Sequence, residues 1–130
     1  MIVIPRRVTR VIFVLHGIVT LAAAAVLAIF PTAIPATVGV ALAPRQYLLL
    51  YFLAAAELAI GVLSIAAARL SDPGAIRLLG VGFAIFHFST AALEAVYLAR
   101  EGLNGVLIAN IVIRLIVGVV FLLVSRSGRR

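Results

Sequence analysis

Four ionisable side chains fall where an apolar sequence has no ordinary use for them. His16, Glu57, His87 and Arg114 each sit near the centre of a long hydrophobic run. A titratable group surrounded by hydrocarbon is expensive, so each needs a partner or a task. A carboxylate accepts the two-pronged fork of a guanidinium, which makes Glu57 and Arg114 the expected ion pair. Asn110, one helical turn from Arg114, is placed to extend that network. Glu94 is expected nearer the outer interface, taking Asn110, Asn104, Tyr97 or solvent. Histidine titrates near neutrality and a buried carboxylate can be raised towards it, so His16, Glu57 and His87 could also relay a proton.

Two further chemistries fit the residue types but not the pattern. His16 and His87, on different helices at similar depth, could ligate a haem, but only Arg114 lies near enough to anchor propionates. His16, His87, Glu57 and Glu94 include divalent-metal donors, but their spacing is not local, and Arg114 beside the same carboxylate opposes a cation. No cofactor or metal is therefore expected. With no cysteine in the chain, thiolate sites, thiol nucleophiles and disulfides are excluded.

The elements that must position these residues are membrane spans. The chain has 130 residues, 65% hydrophobic and 12% charged, and a mean hydropathy of +1.30. A soluble domain has about 25% charged residues, and a small one cannot hide so much apolar surface. Four runs, at about 8–30, 47–69, 75–98 and 103–124, are each long enough for a hydrocarbon core of about 30 Å. Pro31 closes the first, and Leu70-Ser71-Asp72-Pro73-Gly74 breaks the chain before the third, with Ser71 or Asp72 available as a cap. The short connections predict a single all-α domain, an antiparallel up-down bundle of four spans. The segment from Pro31 to Arg45 is expected to be a hydrophobic loop packed on helix ends.

All eleven basic residues are arginine, and four acids leave a net charge of +7. Arg6, Arg7, Arg10, Arg69, Arg77, Arg126, Arg129 and Arg130 fall on one side, against Arg45 and Arg100 on the other. The excess predicts both termini, and the loop between the second and third spans, in the cytoplasm. These charges flank apolar runs and form no stripe with interleaved aromatics, so nucleic acid is not an expected partner. The first run exceeds the 7–15 residues of a signal-peptide core, which predicts a retained span.

Helical periodicity puts the polar residues on faces rich in small ones. These are Phe13, His16, Thr20 and Ala23 or Ala24; Ala54, Glu57, Gly61, Ser64 and Ala68; Gly80, Ala84, His87, Ala91 and Glu94; and Asn110, Arg114 and Gly118. Counted from the cytoplasmic ends, His16 lies about 12 Å deep, Arg114 about 15 Å, and Glu57 and His87 about 18 Å. At one depth, antiparallel helices can bring the four together.

Several of these segments resemble a known family. The proline ending span one, Ala56-Glu57-Leu58-Ala59-Ile60-Gly61 in span two, Phe86-His87-Phe88 and Leu93-Glu94-Ala95 in span three, and Asn110 to Arg114 in span four resemble small bacterial proteins of the BphX-like and DoxX-like type. The resemblance covers nearly the whole chain and implies a four-span bundle. Its members are often encoded near oxidative or catabolic functions, and it carries over no catalytic residue.

The leading functional expectation is a small non-enzymatic membrane protein. It would be an accessory subunit or a module binding a small apolar or amphipathic ligand or lipid, with His16, Glu57, His87, Arg114, Asn110 and Glu94 as its polar cluster. Its partners would be the bilayer, another membrane protein, or further copies of itself, met through small-residue faces such as Ala22 to Ala25 or Ala66 to Ala68. One alternative is a proton-coupled transporter or channel working as an oligomer. Another is a membrane enzyme on a lipid-soluble substrate, although no Walker, Rossmann or zinc signature supports it.

Overall fold

The computed structural model describes residues 4–127; Arg129 and Arg130, two of the arginines in the charge count, lie outside them. Every regular element among the described residues is helical. They are α1 (Arg6–Ile29), α2 (Ala33–Thr37), a 3-10 turn (Pro44–Gln46), α3 (Tyr47–Ala67), α4 (Pro73–Glu101) and α5 (Gly105–Ser127). Four are long and apolar enough to cross a membrane: α1, α3 with its preceding 3-10 turn, α4 and α5.

The limits follow local chemistry. Pro31 stands two residues past the end of α1, as its missing N–H and fixed φ require. Asp72 caps α4 by accepting the Ala75 N–H at 2.6 Å, and Pro73 occupies the first turn, where no N–H is needed. At its far end α4 stops at Gly102, whose φ of 101° and ψ of 176° belong to a region open essentially to glycine alone. The Asn104 side chain then accepts the Leu107 N–H at 3.0 Å and starts α5. A Gly102→Ala substitution, whose Cβ would meet nothing within 4 Å, isolates the backbone cost. It is expected to destabilise the α4–α5 connection by about 1–2 kcal/mol, checked by thermal unfolding in detergent.

The segment between α1 and α3 is more ordered than a loop. It forms α2 and the 3-10 turn, which is held by the Gln46 side chain accepting the Ala43 N–H at 2.7 Å. Its apolar residues Ile34, Val38, Val40 and Leu42 gave no helical period, because α2 is too short to show one.

The described residues divide into two compact units. In Arg7–Arg69, α1 packs antiparallel on α3. A Cβ on Gly17 would come within 2.7 Å of the Ile65 side chain and 3.0 Å of the Gly61 carbonyl. One on Gly61 would come within 2.7 Å of Leu21 Cγ and 3.1 Å of its backbone nitrogen. Each glycine receives a large side chain from the other helix, so the backbones approach closely.

The other unit holds α4 and α5, again antiparallel. A Cβ on Gly80 would lie 3.1 Å from the Phe121 carbonyl oxygen and 3.2 Å from the Ser125 nitrogen, and Gly118 receives the Phe88 ring. The Ile4 N–H donates to Ser127 Oγ at 3.0 Å, tying the N-terminal segment to the end of α5. Outward from both units the surface is apolar, with Leu15, Val19, Leu49, Phe52, Leu78 and Leu93 among the exposed side chains. That is what a hydrocarbon solvent requires and water penalises.

Candidate functional site

The six residues singled out from sequence fall in two groups by unit. His16 and Glu57 belong to the α1–α3 unit; His87, Glu94, Asn110 and Arg114 belong to the α4–α5 unit.

In α1–α3, Ser64 is fully buried and bonds in two directions. Its hydroxyl donates to the Phe13 carbonyl oxygen at 2.8 Å and meets His16 Nδ1 at 2.9 Å. A serine hydroxyl has one proton, and here the carbonyl takes it. His16 must therefore donate from Nδ1, which fixes the tautomer as Nδ1–H in the neutral ring. The sequence placed Ser64 on the inner face of α3 but not as the partner of His16. Ser64→Ala would remove the hydroxyl that meets His16 Nδ1 and the Phe13 carbonyl and is expected to cost about 1–2 kcal/mol. Unfolding in detergent measures it, with Ser64→Thr as the variant that keeps the hydroxyl. Glu57 is buried on the same α3 face, with Ala54, Gly61 and Ser64.

In α4–α5, His87 is buried and held among aromatic rings. It lies parallel to Phe121 at 6.1 Å and edge-on to Phe86 at 5.3 Å, while Phe83 meets Phe121 edge-on at 5.2 Å. Sequence reasoning gave Phe121 no role, since an apolar aromatic in an apolar span carries no signal.

The polar cluster nearer the α4–α5 turn is built on Glu94. Its Oε1 accepts the Asn110 Nδ2–H at 2.8 Å and lies 3.2 Å from Arg114 Nε. The Asn110 bond is among those expected for Glu94. The arginine contact was not expected: the sequence paired Arg114 with Glu57, which belongs to the α1–α3 unit, and within the α4–α5 unit the carboxylate beside Arg114 is Glu94. Depth counted along the backbone had separated Glu94 from Arg114 by about two turns. In the actual register Glu94 faces Asn110, so Arg114 is only one turn away, about 6 Å, and an extended arginine covers that distance. The Arg114 guanidinium carbon also sits 5.8 Å from the centre of the Phe86 ring, at the outer limit of a cation–π contact.

The pairing is electrostatic more than directional. Both side chains remain 20% exposed. Arg114 Nε and Glu94 Oε2 are buried atoms without an aligned hydrogen-bond partner. The charge is balanced, while these two atoms form no hydrogen bond among the described residues. Among the described residues, no group of three or more His, Asp or Glu side chains stands together as a metal site.

No protein-family model matches the chain, and neither the curated proteins nor the solved structures contain a match to it. The functional reading therefore rests on the residues themselves.

Proposed function

We propose that this chain is a non-enzymatic, multi-pass protein of a bacterial cytoplasmic membrane that binds a small amphipathic ligand, both of its termini being cytoplasmic. The observation that carries the binding role is the Glu94–Arg114–Asn110 cluster, set within two membrane-length helices and only partly satisfied by its own side chains. A purely structural pair in hydrocarbon would be expected to saturate its donors internally, since each unsatisfied polar group there costs several kcal/mol. The orientation is supported by the arginine asymmetry, with Arg6, Arg7, Arg10, Arg69, Arg77 and Arg126 on the cytoplasmic side among the described residues. The kinship with DoxX-like and BphX-like proteins is part of the proposal. It is supported by the four apolar helices and by the segments around Glu57, His87 and Glu94, and a likeness at that level brings no activity with it.

The absence of native cysteine makes the orientation directly testable. Single cysteines at Thr37 and Ser71 are expected to react differently with a membrane-impermeant maleimide in intact cells. Thr37→Cys should label at once, and Ser71→Cys only after permeabilisation. The reverse pattern would invert the topology, and labelling of both from outside would contradict the span assignment.

A further inference from the structure

Resting on that reading, we infer that Arg114 is the headgroup anchor for the carboxylic acid group of a single-chain lipid, a free fatty acid, lying against the α4–α5 hairpin. The argument starts from donors. A guanidinium presents five N–H groups in a rigid fork. Glu94 Oε1 stands 3.2 Å from Nε, but that N–H is not directed at it, and among the described residues no acceptor takes an Arg114 hydrogen. Asn110 gives its own hydrogen to the same Oε1, competing for the oxygen rather than supplying one to the arginine. The side chain is 20% exposed, so part of it is open to the surroundings of the hairpin. Those surroundings are apolar, since both α4 and α5 are long and apolar enough to cross a membrane. The acceptor the guanidinium lacks has to reach it through hydrocarbon.

Depth selects the class of ligand. Glu94 lies seven residues before the end of α4 and Arg114 nine residues after the start of α5. At 1.5 Å per residue the cluster sits about 10–14 Å below the helix ends of the α4–α5 turn. A glycerophospholipid phosphate would have to leave its headgroup layer and draw two chains and a polar glycerol down with it. A fatty acid can enter the hydrocarbon as the neutral acid, with one chain and a compact head. Bound as that neutral acid, it gives the guanidinium a carbonyl oxygen to donate to and gives Glu94, whose Oε2 accepts no hydrogen bond among the described residues, an O–H. Because Glu94 already balances the charge of Arg114, the ligand has no net charge to neutralise, and the gain comes from hydrogen bonds that water cannot supply at that depth.

Stearic acid spin-labelled near its methyl end tests this in phosphatidylcholine bilayers containing the full chain. Electron spin resonance separates the label held by protein from the label in free lipid. The acid is expected to associate about tenfold more tightly than its methyl ester, the equivalent of one charge-assisted hydrogen bond. Spin-labelled phosphatidic acid is expected to show no comparable preference over phosphatidylcholine. Removing Arg114 alone leaves Glu94 without its counter-charge and can unfold the hairpin, so the decisive variant is the double change Glu94→Gln with Arg114→Met. It keeps the net charge of the chain, and with it any general attraction of anions to the surface arginines. In that variant the acid-over-ester preference should vanish, while Arg114→Lys should retain only part of it. Equal association of acid and ester with the native chain overturns the inference, as does a preference that survives in the double variant. Preferential binding of phosphatidic acid over the fatty acid also overturns it, in favour of a phosphate site. The cysteine labelling separates this failure from failure of the underlying reading, since the spans can be correct with the anchor absent.

Discussion

Glu94→Ala is expected to destabilise the α4–α5 hairpin by about 2.5–3.5 kcal/mol, the cost of an arginine left without a counter-charge in the middle of a membrane helix. Glu94 holds both Arg114 and Asn110 through one oxygen, so its loss removes two contacts together. Dyes on cysteines at Arg77 and Arg126, both exposed and close in the antiparallel register, would report the separation of α4 from α5 as SDS is added to bicelles. The transition should move to markedly lower SDS. Glu94→Gln should fall between, since an amide still accepts from Asn110 but brings no charge. If Glu94→Ala unfolds where the native chain does, Arg114 has another anion and the cluster is misassigned.

Gly61→Val is the second large effect, acting on packing rather than charge. The new Cβ would meet Leu21 Cγ at 2.7 Å and the Leu21 backbone nitrogen at 3.1 Å. The leucine side chain can turn aside, but its backbone can move only if α1 does, and the branched methyls of valine enlarge the clash. Overpacking of this kind costs about 1–3 kcal/mol, and the loosening of the nearby His16–Ser64 contact at 2.9 Å adds to it. Energy transfer between dyes at Arg10 and Arg69 should show α1 leaving α3 at lower SDS. Gly82→Ala is the control, because a Cβ there meets nothing within 4 Å. Equal behaviour of the two variants would mean that α1 and α3 are not in close contact at Gly61.

How far the sequence could be read follows from which forces are local. The long helices were legible because hydrocarbon demands long apolar runs, and their ends were legible where proline or a cap stood, as at Pro31 and Asp72. The buried faces were legible too. Ala54, Glu57, Gly61 and Ser64 of α3, and Gly80, Ala84, His87 and Ala91 of α4, are all buried as their spacing required. α4 runs from Pro73 to Glu101, past the apolar window at both ends, because a capped helix continues until its backbone is stopped, here by Gly102.

The site was legible in its members more than in its pairings. Glu94 with Asn110 was anticipated, since both lie near the same turn. Arg114 with Glu94 was not, because backbone depth ignores the reach of an arginine side chain and the register of the hairpin. Register is set by the packing of Gly80 and Gly118 against α5 and α4, which no single span reveals. His16 with Ser64 was missed for a related reason: a serine in a small-residue stripe looks like a packing residue until its neighbour is known. The ring stack of His87 on Phe121 had no polar signature at all.

The Glu94–Arg114 interaction is the centre of the account, and a double-mutant cycle in bicelles tests it most directly. Glu94→Ala, Arg114→Ala and the double variant are compared by the SDS transition of the α4–α5 dye pair. The expected result is strong coupling, the double variant losing about 2 kcal/mol less than the sum of the two single losses. Losses that add to within about 0.5 kcal/mol would contradict it.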